Sequence, residues 1–402
     1  MTIEVHPIGL KCNLACTYCY QENMRPADKP YLSVRKMLRQ IKKQGSDFTI
    51  FGGEPLLTPI RTLELLFAYG FRHYGKNGIQ TNGTLITDRH MEMFKKYAVH
   101  VGVSIDGPDE LNNAREGRIS GAITGLLTRK TQENIERLLR EGVQCSLIIT
   151  LHRVNAVGEN LDRLESWLRD LAAKGLRSAR IHLMELDNPD KSRKLVLTAE
   201  ENAIAVLRLS AISRFDVDLY QEMKRNLQDD FSRSSCIWNG CDPYTTPAVV
   251  GIDSDGTLSN CGRVNKGPHN YRKADTPGRE RVIGLYATPY EDGGCKGCRF
   301  FLACKGQCPG TGINGDWRNR TEHCGTLMIL FEQMEKELVA EGKTPTSLRE
   351  DRETLEKSYL SGGGGGGGSG SHTDWHEDWH GDVPHEDTPH ANVYQVPVGR
   401  PQ

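Results

Sequence analysis

The 402-residue sequence has no long apolar run and no excess of charge of either sign. No stretch approaches the roughly 20 apolar residues that cross a bilayer, so no membrane partner is expected. No secretory h-region precedes Cys12, so a cytoplasmic location is expected. Lys and Arg number 51 against 52 Asp and Glu, which excludes a global nucleic-acid footprint. The charge is unevenly spread. Residues 372–402 set Asp374, Glu377, Asp378, Asp382, Glu386 and Asp387 against Arg400 alone, leaving a mildly basic body that suits an acidic peptide. Twelve cysteines without an export signal read as metal ligands rather than disulfides, and imply oxygen sensitivity. The length allows one large core and a second, smaller one.

Cys12, Cys16 and Cys19 stand in C-x3-C-x2-C spacing directly after the apolar run Ile3, Val5, Ile8. A structural zinc wants four protein ligands, and a fourth is missing nearby. Three thiolates within eight residues suit a cuboidal 4Fe–4S cluster with one iron left open for substrate. The spacing resembles the signature of the radical S-adenosylmethionine (radical SAM) superfamily. The resemblance implies that Cys12, Cys16 and Cys19 are catalytic. Their open iron would take the amino and carboxylate groups of SAM, whose reductive cleavage yields a 5′-deoxyadenosyl radical. Gly52, Gly53, Glu54 and Pro55 match the GGEP element that contacts the methionyl amine. Two glycines would let backbone approach the ligand, and Glu54 would bring a carboxylate to the amine. Asn82, Ser104 and Asp106 match positions near the ribose and carboxylate of SAM, and Arg115 is a further candidate contact, with Arg118 as its alternative.

Up to about residue 215, apolar runs alternate with amphipathic stretches, as a parallel α/β architecture requires. Strands are expected at 3–8, 48–51, 78–81, 100–104, 144–151 and 180–184. Helices are expected at 32–41, 62–69, 88–97, 131–139 and 161–171. Six βα units predict a partial, TIM-like (βα)6 barrel. The cysteine loop, the GGEP segment, Asn82 and the Ser104–Asp106 segment each follow a strand, and would meet at one mouth.

Beyond residue 215 the chain turns rich in Gly, Pro and Cys, a composition that needs staples. Cys241-x14-Gly256-x4-Cys261, then Cys295-x2-Cys298-x5-Cys304-x3-Cys308, then Cys324, resembles the SPASM extension of radical SAM enzymes. Cys236 supplies an eighth ligand. The resemblance implies two auxiliary 4Fe–4S clusters, one on Cys236, Cys241, Cys261 and Cys308, the other on Cys295, Cys298, Cys304 and Cys324. Three clusters and SAM are therefore the expected cofactors. A pair of four-cysteine zinc sites is the competing reading of this segment. Cys145 is left over in an apolar strand as a core residue. Sulfatase maturases, SPASM relatives, commonly carry Asp after the cysteine matching Cys261; Gly262 and Arg263 stand here, and neither is a plausible general base. Only eleven residues precede Cys12, too few for a leader-peptide recognition domain.

The expected organisation is a radical SAM barrel over 1–215, a SPASM domain over 216–330, a helical segment over 331–361, a Gly/Ser linker over 362–371 and a disordered tail over 372–402. The tail repeats Asp374-Trp375-His376, Asp378-Trp379-His380, Asp382-Val383-Pro384-His385 and Asp387-Thr388-Pro389-His390. It reads as a fused precursor peptide, a divalent-metal buffer, a passive acidic tail or an added fusion. As substrate it would be tethered at an effective concentration on the order of millimolar. No Cys follows Cys324, which excludes thioether formation on the tail. Gly381 stands where a uniform three-residue ring from Trp379 would need a Cβ, so Asp or His of each repeat is the better suspect for carbon–carbon cross-linking. The expected function is a peptide-modifying radical SAM/SPASM oxidoreductase served by a reductant such as flavodoxin or ferredoxin. The alternatives are a maturase of a separate protein or peptide, and a non-enzymatic iron–sulfur or divalent-metal binding protein.

Overall fold

The computed structural model describes residues 2–25, 31–187, 189–242, 249–264 and 279–362. The tail over 372–402, and the linker beyond Gly362, lie outside the described residues. Residues Met1–Gly367 form one compact unit.

Six parallel strands appear where alternation predicted them: β1 Thr2–His6, β2 Phe48–Ile50, β3 Asn77–Thr81, β4 Val99–Ser104, β5 Cys145–Leu151 and β6 Ser178–Leu183. The sheet does not stop there. β7 (Asp216–Val217) adds to β6, while β8 (Val249–Asp253) and β9 (Leu258–Ser259) add beyond β1, giving the order β7-β6-β5-β4-β3-β2-β1-β8-β9. β8 runs parallel to β1, with Thr2 opposite Val249 and His6 opposite Asp253; β9 returns antiparallel. The cysteine-rich segment thus covers the β1 edge, whose backbone groups would otherwise stand unpaired. β1 ends at His6, short of residue 8, because Pro7 has no N–H for the ladder and Gly9 N turns back onto His6 O at 3.1 Å.

Register and pleat divide the sheet into two faces. Ile3, Val5, Ile50, Ile79, Val101, Val103, Leu147, Ile149, Leu151, Ile181 and Leu183 form the buried face. They pack with α1 (Val34–Gln44), α2 (Ile60–Tyr74), α3 (Asp88–Lys96), α4 (Thr124–Arg140) and α5 (Gly158–Ala173) in one core. Each fully buried aliphatic side chain contributes about 1.5–3 kcal/mol. Cys145 packs at the edge of this core, as expected of it. The opposite face is polar, with Glu4 beside Thr49, Gln80 beside Gly102, and Thr150 beside His182.

After the short α6 (Pro189–Ser192) comes α7 (Ala199–Ser210), closed by a capping box between Thr198 and Glu201. α8 (Asp218–Asn226), α9 (Glu280–Ala287), α10 (Phe301–Cys304), α11 (Cys324–Ala340) and α12 (Arg352–Ser361) complete the chain. Trp238, Phe300 and Phe331 pack together, joining the cysteine-rich segment to α11. Among the described residues no helix is long and apolar enough to cross a membrane.

Candidate active site

The cysteine loop leaves β1 and is held by residues 114–118, between β4 and α4. Ala15 N donates to Glu116 O at 2.8 Å, Thr17 N to Ala114 O at 2.8 Å and Arg118 N to Asn13 O at 3.1 Å. Arg118 also donates to Cys12 O (2.9 Å) and Leu14 O (3.0 Å), and Arg25 donates to Leu14 O (2.9 Å). Glu22 pairs with both guanidinium groups, at 2.6 and 2.8 Å.

Arg115 turns inward instead. It is nearly buried, 3.6 Å from Asp106, and donates to Tyr18 Oη at 2.8 Å. Burial pushes the Cys12 thiol up to about 11 and the Cys16 thiol to about 12, with the Arg115 charge acting against the rise. The two arginines left open by the sequence therefore divide the work. Arg118 clamps the loop's backbone, and Arg115 supplies positive charge beside its thiols.

The two glycines of the GGEP segment serve the loop. A Cβ on Gly52 would lie 2.6 Å from Gly9 O, and one on Gly53 would lie 2.3 Å from Lys11 O. Gly53 N and Glu54 N donate to those same carbonyls at 2.9 and 2.7 Å. Pro55 then opens a short 3-10 turn, Pro55–Leu57. Glu54 is fully buried, and its carboxylate accepts from Leu56 N (2.9 Å), Thr81 Oγ1 (2.7 Å) and Asn82 N (2.7 Å). Burial raises its pKa, against those three bonds. Glu54 ties the loop after β2 to the loop after β3. Asn82 in turn donates to Asn13 Oδ1 at 2.8 Å and lies 3.8 Å from Cys12 Sγ.

Asp106 is fully buried at the centre of a network. Tyr18 Oη and Thr150 N (3.0 Å) donate to it, and His152 Nε2 lies 3.3 Å away. Burial opposes its charge, but Arg115 and His152 outweigh burial and hold the carboxyl below its ordinary value. Ser104, at the end of β4, accepts from Gln80 Nε2 at 2.8 Å. Tyr18, Thr81 and His152 were not singled out in the sequence. Tyr18 sits between two of the cysteines, and His152 directly follows β5, where the strand-end rule would have found it.

Apart from Cys145, the eight remaining cysteines fall into two neighbourhoods. Cys236 feels the charges of Cys308 and Cys241, and Cys261 those of Cys308 and Cys236. Cys295, Cys298, Cys304 and Cys324 line one cavity together with Phe300, Phe331 and other residues. Burial pushes Cys236, Cys261 and Cys295 up to about 12. Among the described residues no three His, Cys, Asp or Glu side chains have the spacing to hold a single metal ion.

Arg281, missed in the sequence, sits between the two neighbourhoods. It is buried and donates to the carbonyls of Cys241 (3.2 Å), Gly306 (3.4 Å), Gln307 (3.0 Å), Trp317 (2.6 Å) and Asn319 (2.9 Å).

Residues 7–178 match the Radical SAM superfamily. The chain is similar to anaerobic sulfatase-maturating enzymes. It is 26% identical over 345 residues to the serine-type enzyme of Bacteroides thetaiotaomicron, covering 76% of this chain and 82% of that one. In solved structures its fold is that of anSMEcpe with bound AdoMet and Kp18Cys peptide (TM-score 0.66, 19% identity, 85% of this chain and 98% of that one). It is also that of Streptococcus suis SuiB bound to S-adenosylmethionine (TM-score 0.57, 17% identity, 80% and 76%).

Proposed function

We propose that this chain is a radical SAM/SPASM enzyme that modifies a peptide, and that the peptide is its own tail over 372–402. The observation that carries the enzymatic reading is the convergence of Cys12, Cys16 and Cys19, the GGEP segment, Asn82 and Arg115 at one end of the sheet. Three neighbouring thiols beside a buried guanidinium suit a 4Fe–4S cluster with an open iron. That cluster, with SAM, supplies reductive cleavage to a 5′-deoxyadenosyl radical. Arg118, Arg25 and Glu22 fix the loop's backbone. Glu54 and Asp106 accept hydrogen bonds from protein donors and so hold Asn82 and Tyr18 in place. Arg115, Ser104 and the backbone of Gly52 and Gly53 are the groups assigned to SAM.

The eight remaining ligands form two fully protein-ligated sets, Cys236, Cys241, Cys261 and Cys308, and Cys295, Cys298, Cys304 and Cys324. Four thiolates leave no open iron, so electron transfer is the role proposed for them. A small reductant of the flavodoxin or ferredoxin type in the cytoplasm would start the cycle. The tail is proposed as substrate because it repeats Asp and His four times within tether reach. Hydrogen abstraction followed by carbon–carbon bonding is the proposed chemistry. Similarity to sulfatase-maturating enzymes favours a second reading, action on a separate protein.

The test is anaerobic reconstitution, incubation with SAM and a reductant, digestion, and accurate mass of the fragment over 371–402. Loss of hydrogen pairs, absent in a Cys12→Ala/Cys16→Ala/Cys19→Ala control, is the expected result. An unchanged tail with 5′-deoxyadenosine still released moves the substrate to a separate partner.

A further inference from the structure

The polar face of the sheet carries a second charged group that the SAM assignments do not use. Arg263 Nη2 lies 2.5 Å from Glu185 Oε1 and 3.5 Å from His182 Nδ1. His182 belongs to β6, and Glu185 lies just past that strand's end. Glu185 is 8% exposed and Arg263 keeps about a quarter of its side-chain surface, so the pair is shielded and the Arg263 side chain stays partly exposed. Burial and the Arg263 charge push the His182 pKa well below its ordinary value, so the imidazole is neutral. The neighbouring Gly262 faces the loop of the first three cysteines. A Cβ there would lie 3.0 Å from Tyr20 Oη, and Tyr20 follows Cys19. Arg263 therefore lies between the three-cysteine loop and the Cys236, Cys261 and Cys308 neighbourhood, and Tyr20 feels its charge.

Among the described residues the bonds of Arg263 run from Nη2, and its Nε and Nη1 hydrogens donate to none of them. A guanidinium N–H gives a carboxylate a charge-assisted hydrogen bond. A buried ion pair is weak evidence of stabilisation, since apolar residues of like volume serve as well. Its place at the mouth suits recognition better.

We propose that Arg263, oriented by Glu185, is the subsite for a carboxylate side chain of the peptide substrate, an Asp or Glu beside the residue that is modified. The inference rests on the peptide-modifying reading above and names its substrate class. The tail fits it, with Asp374, Asp378, Asp382 and Asp387 recurring once per repeat.

The test uses the full chain with the six acidic tail residues changed to their amides, so that the tail does not compete. A labelled synthetic peptide of residues 371–402 and its all-amide counterpart are titrated by fluorescence anisotropy. The acidic peptide is expected to bind about 10- to 100-fold more tightly, the worth of a hydrogen-bonded charge. Arg263→Gln should erase that preference. So should Glu185→Gln/Arg263→Gln, which leaves no orphaned buried charge. Equal binding of the two peptides, no binding of either, or a preference that survives both variants overturns the subsite. Binding through Arg263 without any SAM-dependent mass change overturns the tail-modification reading and leaves the subsite standing. A tail modified equally well by Glu185→Gln/Arg263→Gln does the reverse.

Discussion

The sheet and the cysteine-rich segment over 236–324 are held by opposite means. The sheet is anchored by a continuous apolar face under helices, where every strand from β1 to β6 buries aliphatic side chains. Among the described residues the second region has one small apolar cluster of its own, Val282, Leu285, Cys295 and Phe301. Its turns are organised by Arg281 and by Arg320, which donates to Tyr290 O and Gly294 O. Its backbone takes left-handed conformations at Lys305, Gln307 and Asn314. A region with so little core depends on staples, and eight thiols in two groups are placed to supply them. One region is held by burial; the other is proposed to be held by what its thiols bind.

Metal removal should separate them most sharply. Chelation of the reconstituted protein should make residues 279–324 exchange amide hydrogens rapidly while β3 to β5 stay protected. Exchange in step across both regions would break the comparison. Arg281→Leu comes next, because it strips the donor from five carbonyls, three of them in buried bonds. It should cost about 3–5 kcal/mol by denaturant titration and lower the iron content. Leu63→Ala, in the sheet's core, should cost about 2–5 kcal/mol with iron per folded chain unchanged. Equal iron loss in both variants would contradict the division.

The smallest effect lies at the seam, where His6 on β1 bonds Asp253 on β8 at 3.2 Å. Burial disfavours the imidazolium, but Asp253 and Glu4 outweigh burial and lift its pKa to about 9. A raised pKa stabilises the fold below the unfolded value of about 6.5, and that contribution fades as pH rises through 9. Stability measured from pH 6 to 10 should therefore fall by about 1–3 kcal/mol more in the parent than in His6→Gln. Parallel pH profiles would remove His6 from the seam.

The same contrast explains what was legible in the sequence. Strands of the sheet show period-two alternation, and the radical SAM cysteines lie within eight residues, so local pattern suffices. The pairing of β8 with β1 joins residues some 247 apart and leaves no local trace. α7 was missed although Thr198 and Glu201 carry a capping-box signature. The partners of Glu54 and Asp106 come from separate strand ends, and spacing alone cannot name them. Glu54 was expected to meet an amine, and its carboxylate also accepts from three protein donors. Arg281 has no motif at all, because its role is defined by five carbonyls brought together only on folding.

The most direct test of the account asks whether the three-cysteine site cleaves SAM. Anaerobically reconstituted full-length chain would be given SAM and a low-potential reductant, and 5′-deoxyadenosine measured by liquid chromatography. The account predicts release by the parent chain and none by Cys12→Ala/Cys16→Ala/Cys19→Ala, with the other eight cysteines still loaded with iron. A parent chain that holds its iron yet releases no 5′-deoxyadenosine would contradict it.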